Sequence, residues 1–396
     1  MPPVDRTIAV VGHICLDVIP AFASGVTSSN SRLEPGQLYL MGPVDCTTGG
    51  TVANTGLALH KLGASVRLVG KVGDDLFGRA VLEVLSSASP ELTTGMLVDA
   101  DEPTSYSIVI SPPGVDRTFL HCPGANDSFC PSEVVDSALA GVGLLHFGYP
   151  PLMRRVYDDG GRELAALFQR ARARGIMTSL DMSMPDPNSP AGQVDWRDWL
   201  ARVLPHVDLY LPSFEETRFM LTPAGPDSPA TSDGSRPTPE LLRTLADQLI
   251  GFGAGVVVLK LGAWGLYLKS AEREQAEKRP LQLGESWSQR ELWAPCFEVN
   301  ASGTTGAGDC TIAGLLAAAA SGAAPAQALV QAVAVGACSV EAADATSGIR
   351  SLDETRARIA AGWRRRDDPP PADDWRYDQA HGLWIGPGDE SLSQTD

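Results

Sequence analysis

Short apolar runs alternate with helix-patterned stretches along this chain. The runs Ile8–Val11, Val66–Val69, Leu144–Phe147, Met177–Leu180, Leu209–Leu211 and Val256–Leu259 are strand candidates. Helical patterns lie near 51–62, 76–88, 161–174, 239–252, 307–321 and 325–343. Strands that alternate with helices predict βαβ units and a mainly parallel sheet, an α/β fold. Several strand candidates run into Gly, Asp or Pro, as at Gly12, Gly148, Asp181 and Pro212. Ligands of open α/β sheets bind outside the carboxyl ends of the strands, so these positions are expected to face one cleft.

Other stretches interrupt the alternation. Residues 13–48 carry short strand-like pieces such as Gln37–Met41. Residues 104–121 predict a hairpin, Ser105–Ile110 with Thr118–His121, around a Pro112-Pro113-Gly114 turn. Residues 222–238, rich in Pro, Ser and Gly, predict a surface loop. Residues 270–291 are charged and predict a long excursion between two strands. From Asp367 the chain is rich in Pro and Asp and then polar, a candidate tail over 367–396 with Trp375, Tyr377, Leu383 and Trp384 as docking residues. There is no internal repeat.

At 396 residues the chain can bury one large core or two smaller ones. Its 43% hydrophobic and 20% charged content is that of a globular protein. No apolar run is long enough to cross a bilayer. The opening Met-Pro-Pro-Val-Asp-Arg lacks a signal-peptide core, so a cytoplasmic protein is expected. A net charge of −17 argues against a nucleic-acid or anionic-membrane surface. A polyanionic substrate would therefore need local help from Lys, Arg, backbone amides or a divalent metal. The seven cysteines, at 15, 46, 122, 130, 296, 310 and 338, are odd in number and contain no Cys-x-x-Cys, a pattern of free thiols rather than disulfides or a zinc site.

Candidate chemistry concentrates in two glycine-led helix starts. Gly303-Thr304-Thr305-Gly306-Ala307-Gly308-Asp309-Cys310 opens an Ala-rich run to Ala320. Its glycines leave backbone N–H groups bare at a helix N-terminus, where the helix dipole also favours anions. Asp309 is badly placed there to hold phosphate. It is well placed to take a proton from a hydroxyl that attacks a phosphoryl group. The alternative is a glycine-rich turn with Asp309 as an ordinary first-turn carboxylate. The second start is Gly49-Gly50-Thr51-Val52-Ala53-Asn54. Asn54 competes with the helix backbone for hydrogen bonds, so a ligand or buried partner explains it better than propensity does. Asp17 follows the first strand in Gly12-His13-Ile14-Cys15-Leu16-Asp17, where a carboxylate can accept hydrogen bonds from a polyol or simply cap a turn.

Together, Gly49-Gly50 with Asn54 and Gly306-Ala307-Gly308-Asp309 resemble the two signatures of the ribokinase/PfkB family of sugar and nucleoside kinases, in the same order and similarly far apart. The resemblance extends from about Thr7 to Arg350. It implies a ribokinase-like kinase domain over 1–366, with a small β lid from about 13–48 and 104–121 inserted over the sugar. A lid that closes excludes water from the transfer. It implies a substrate site at Asp17, Gly49, Gly50 and Asn54, joined by Arg117 and Asn126 from the lid and its return. An exposed hairpin arginine is the alternative for Arg117. It implies a nucleotide site at Gly262 and Gly265, with Thr305, and with Lys260 either pairing with phosphate oxygens or standing as a surface lysine.

Leu211-Pro212-Ser213-Phe214-Glu215-Glu216 is similar to the family's Asn-x-x-Glu element, in which the Glu helps hold Mg2+. This places Ser213 at the Asn position and Glu216, ahead of Glu215, at the metal. The alternative is Ser213 as an N-cap with both glutamates as first-turn carboxylates. Gly303 stands where many members carry an Asp for a monovalent cation, which leaves potassium activation open. Ala345-Thr346-Ser347-Gly348-Ile349 resembles the family's closing loop. Family lids often double as dimer surfaces, so a homodimer through the lid is considered.

Competing motifs are absent: no Gly-x-x-x-x-Gly-Lys-Ser/Thr, His-Arg-Asp, Asp-Phe-Gly or Gly-x-Ser-x-Gly occurs. Gly251-Phe252-Gly253-Ala254-Gly255 ends a helix and precedes a strand, the reverse of the dinucleotide-binding order. The expected function is ATP- and Mg2+-dependent phosphorylation of a hydroxyl on a small sugar-like molecule or nucleoside, with Asp309 as base beside the Gly306–Gly308 anion hole. The alternative is a non-catalytic sugar or nucleotide sensor on the same fold.

Overall fold

The computed structural model of the chain describes residues 7–22, 35–112, 118–222, 235–278, 282–368 and 370–393. A ten-stranded sheet runs in the order Arg376–Asp378, Leu383–Ile385, Glu291–Ala294, Leu266–Ser270, Val256–Lys260, Leu209–Tyr210, Met177–Asp181, Val142–Gly148, Thr7–Gly12 and Val66–Val69. From Val256–Lys260 to Val66–Val69 the strands are parallel, and the rest pair antiparallel. All the strand candidates are present. Leu209–Tyr210 is the shortest, since Pro212 brings no N–H to continue the ladder.

The parallel strands are buried on both faces. Ile8 and Val10 enter one core with the helices Thr51–Lys61, Ala307–Ala320 and Pro325–Ser339. Ala9 and Val11 enter the other with the helices Arg162–Ala173, Trp196–Val203 and Pro239–Gly251. Alternating side chains thus anchor a helix layer on each side of the sheet. The helix expected over 325–343 stops at Ser339.

A smaller four-stranded sheet has the order Met41–Gly49, Cys15–Phe22, Tyr106–Ile110 and Thr118–Cys122. The last two pair antiparallel as the expected hairpin. Its Pro113 and Gly114 lie outside the described residues, as do residues 223–234 of the expected surface loop. The 270–291 excursion joins Leu266–Ser270 to Glu291–Ala294 and carries a short helix, Arg273–Lys278.

The polar C-terminal segment differs from a simple tail, because it supplies the two outermost strands of the main sheet. Trp375 packs at 6.3 Å from Tyr267 and 6.1 Å from Trp293, and Leu383 is fully buried. All seven cysteines are free thiols. No described helix is long and apolar enough to cross a membrane.

Parallel register is what assembles the site. Gly12 aligns with Gly148, Gly148 with Asp181, and Ser213 bridges Lys260. The carboxyl ends of five neighbouring strands therefore meet at one rim, where the Thr51–Lys61 and Ala307–Ala320 helices also begin.

Candidate active site

Gly306 is the N-cap of Ala307–Ala320, with φ of 65° and no side chain capping the helix. A Cβ there would fall 2.5 Å from the Cβ of Ala345, so only glycine fits. The first-turn N–H groups of Ala307 and Gly308 stand at this uncapped end, and both residues line the adjoining cleft.

Asp309, in the same turn, is 2% exposed. Tyr149 Oη donates to both of its carboxylate oxygens at 2.9 Å. Asn54 Nδ2 donates to Oδ2 at 3.0 Å and Thr55 Oγ1 to Oδ1 at 3.4 Å. Burial pushes the Asp309 carboxyl above the usual range, against the pull of Asn54, Lys260, Tyr149 and Thr55. A raised carboxyl is a stronger base than an exposed aspartate.

The acceptor side is built on close approach. Asp17, 8% exposed, lies over Gly49, where an added Cβ would stand 2.6 Å from its Cγ and Oδ1. Gly50 leads the Thr51–Lys61 helix with φ of 85° and packs on His13. Cys15 Sγ donates to Asp17 Oδ1 at 3.3 Å.

Asn54, expected on this side, gives one amide N–H to Asp309. Asn126 is fully buried and spans Ile14, donating to its carbonyl at 2.8 Å and accepting from its N–H at 3.2 Å. It therefore holds the turn after the first strand and does not face the cleft. Arg117 lies outside the described residues.

A cleft of about 730 Å³ opens beside Asp309, lined by Tyr149, Ser213, Glu215, Glu216, Lys260, Gly262, Gly265, Thr304, Ala307 and Gly308 among others. Thr304 lines it where Thr305 was expected. Lys260 is not a surface lysine: its side chain is 14% exposed and its Nζ lies 2.6 Å from Asp181 Oδ1. Burial works against this ammonium, but Asp181 and Glu216 hold its pKa above the usual lysine value. Burial likewise pushes Asp181 up to about 8, with Lys260 opposing and Glu216 and Asp309 adding to the rise. Asp181, Glu216 and Asp309 thus surround one lysine, and burial raises the pKa of all three carboxyls. Ser213 caps Phe214–Leu221 reciprocally with Glu216: the Ser213 N–H donates to Oε2 at 2.6 Å and the Glu216 N–H donates to Oγ at 3.1 Å. This leaves Oε1 of Glu216 for other work, so the cap and a ligand role are compatible.

Among the described residues no group of three or more His, Cys, Asp or Glu could hold a metal alone. Mg2+ usually takes one or two carboxylates together with phosphate and water. Glu216 lines the cleft and Asp181 lies on the neighbouring Lys260, a carboxylate pair that fits that mode.

Tyr149, Thr55, His13 and Arg366 were not singled out from the sequence. Arg366 lines the cleft. His13 is 2% exposed with neither ring nitrogen hydrogen-bonded, 5.2 Å from the ring of His121 and 6.1 Å from that of Tyr149. Its position next to Gly12 at a strand end was the available signal. For Tyr149 it was the position after Gly148.

The sequence pattern of the pfkB family of carbohydrate kinases matches residues 5–352. A ribokinase from Bacillus subtilis (strain 168) is 30% identical over 138 residues, covering 33% of this chain and 42% of that protein, so the match spans less than half of that relative's length. A ribokinase of Arabidopsis thaliana complexed with ribose and ATP shares the fold, with a TM-score of 0.67 and 17% identity over 89% of this chain and 98% of that one. A putative ribokinase II from E.coli in complex with ATP and Mg2+ gives 0.66 and 21% over 90% and 99%. These likenesses show a ribokinase-like fold: a large, mostly parallel sheet flanked by helices, with a smaller sheet beside it.

Proposed function

The chain belongs to the pfkB family of carbohydrate kinases, and on that premise we propose that it transfers the γ-phosphoryl group of ATP to a hydroxyl of a small sugar-like molecule or nucleoside. The observation that carries this reading is the position of Asp309, directly after an uncapped Gly306–Gly308 helix start that borders the Lys260 cleft. The acceptor lies on Gly49 and Gly50, held by Asp17 and enclosed by the small sheet as a lid. Asp309 takes the proton of the attacking hydroxyl. A modest base suffices, because a loose phosphoryl-transfer transition state draws mainly on positioning and charge neutralisation. The N–H groups of the helix start face the charge that develops on the phosphoryl oxygens, and Lys260 pairs with the same charge.

ATP extends from this point along Gly262 and Gly265. Its base meets the apolar wall of Phe297, Val299, Val333, Ala337 and Val340, near Arg366. When bound, Mg2+ neutralises phosphate charge, and Glu216 with Asp181 would hold it. The complexes of the Arabidopsis thaliana and E.coli proteins support the nucleotide and metal assignments. Exposed Leu40, Val44, Phe119 and Leu120 on and beside the small sheet suit the homodimer contact considered for the lid.

The test is an ADP-release assay with Mg-ATP against a panel of sugars, sugar acids and nucleosides. Release that requires one acceptor class supports the kinase and names its substrate. ATP binding with no release across the panel would favour a sensor.

A further inference from the structure

A carboxylate has about four lone-pair positions, two on each oxygen. In this structure three donors face Asp309: Thr55 on Oδ1, Asn54 on Oδ2, and the single O–H of Tyr149 shared between both oxygens. The phenol spans both oxygens from the side of the cleft, where it competes with an attacking hydroxyl for the carboxylate. Asn54 and Thr55 are fixed in the first turns of Thr51–Lys61, a buried helix. Tyr149 is different. It follows the last residue of Val142–Gly148 and precedes Pro150 and Pro151, with φ of 66°, a backbone state that costs a tyrosine energy. It also lines the cleft, whereas Asp309 lies behind it.

We propose that the Tyr149 hydroxyl is a gate on the base: it occupies the acceptor hydroxyl's place on Asp309 and yields to the acceptor, so that water is not activated in an acceptor-free site. The inference rests on Asp309 being the general base of the proposed kinase. The reaction suppressed is hydrolysis. The bond from the γ-phosphorus to the ADP oxygen breaks, a bond from that phosphorus to a water oxygen forms, and the water proton passes to Asp309 and then to solvent.

The experiment compares wild type, Tyr149→Phe and Asp309→Asn for acceptor-dependent turnover and for ADP release without acceptor. Tyr149→Phe should raise acceptor-free ADP release about tenfold or more, the weight of one hydrogen bond to a charged group. It should also lower the KM for acceptor, since the acceptor no longer displaces a phenol. A purely structural tyrosine would lower kcat and leave the ratio of hydrolysis to transfer unchanged, which overturns the gate. Asp309→Asn with near-normal turnover would overturn Asp309 as the base on which the gate rests, a separate outcome. Should Tyr149→Phe fail to fold, wild-type protein carries the test. Adding acceptor with a non-hydrolysable ATP analogue must then change the tyrosine near-ultraviolet circular dichroism, and an unchanged band overturns the proposal.

Discussion

Gly49→Ala isolates the acceptor site with the smallest perturbation the chemistry allows. The new methyl would stand 2.6 Å from Cγ and Oδ1 of Asp17, where ordinary contact begins at 3.4 Å. The obstacle is the end of one side chain rather than backbone, so the cheapest response is for the Asp17 carboxylate to retreat by about 1 Å, which leaves the fold in place at a cost of about 1–3 kcal/mol. A misplacement of that size at a reacting centre costs about a hundredfold. The expected result is kcat/KM for the acceptor down by about two orders of magnitude, with the KM for ATP within a few-fold of wild type, because Gly49 lies apart from the Lys260 cleft. Initial rates with each substrate varied in turn, beside an unfolding curve, measure both quantities. Unchanged acceptor kinetics in a folded Gly49→Ala protein would refute the role given to Asp17 and the glycine floor.

Two further outcomes follow from buried charge. Lys260→Met leaves Asp181 without its cation and should destabilise the protein by about 3–5 kcal/mol while raising the KM for ATP. Adding Asp181→Asn should recover stability but not ATP affinity, and recovery of both would contradict the phosphate role of Lys260. His146 sits between Ser179 and Thr51, its pKa pushed down to about 3 by burial, with Lys260 adding. The unfolded chain binds this proton near the ordinary value of about 6.5, so the stability from a neutral His146 is lost as pH falls from there toward 3, at about 1.4 kcal/mol per unit. Denaturant curves at pH 6.5 and pH 5 should differ by about 2 kcal/mol from this group alone. His146→Gln should be flatter by that amount, and an equal acid sensitivity would contradict the assignment.

Much of the fold was legible because the helices and parallel strands carry strong local patterns. Leu76–Ala88 has the bounds read from its sequence. The two glycine-led helix starts were legible as well, because glycines that open a helix are a local signal, joined by a first-turn carboxylate only at Asp309. The partners of Asp309 were not. Tyr149 and Thr55 reach it across 160 and 254 positions of chain, and only the parallel register brings them together. Asn54 is a polar oddity in its helix, but its buried partner is Asp309, which no local window contains. Asn126 illustrates the opposite error: an amide after a hairpin reads as ligand-facing, while its complementary pairing with Ile14 appears only in three dimensions. The edge strands near Trp384 are short and set in polar sequence, so their burial against the sheet could not be read from periodicity.

The most direct test of the central claim is single-turnover phosphoryl transfer by Asp309→Asn beside a measurement of ATP binding. The account predicts ATP affinity within a few-fold of wild type and transfer slower by about 10²–10⁴-fold, the weight of a general base. Transfer at a near-normal rate in the folded variant would show that another group removes the proton, and the assignment of Asp309 would be wrong.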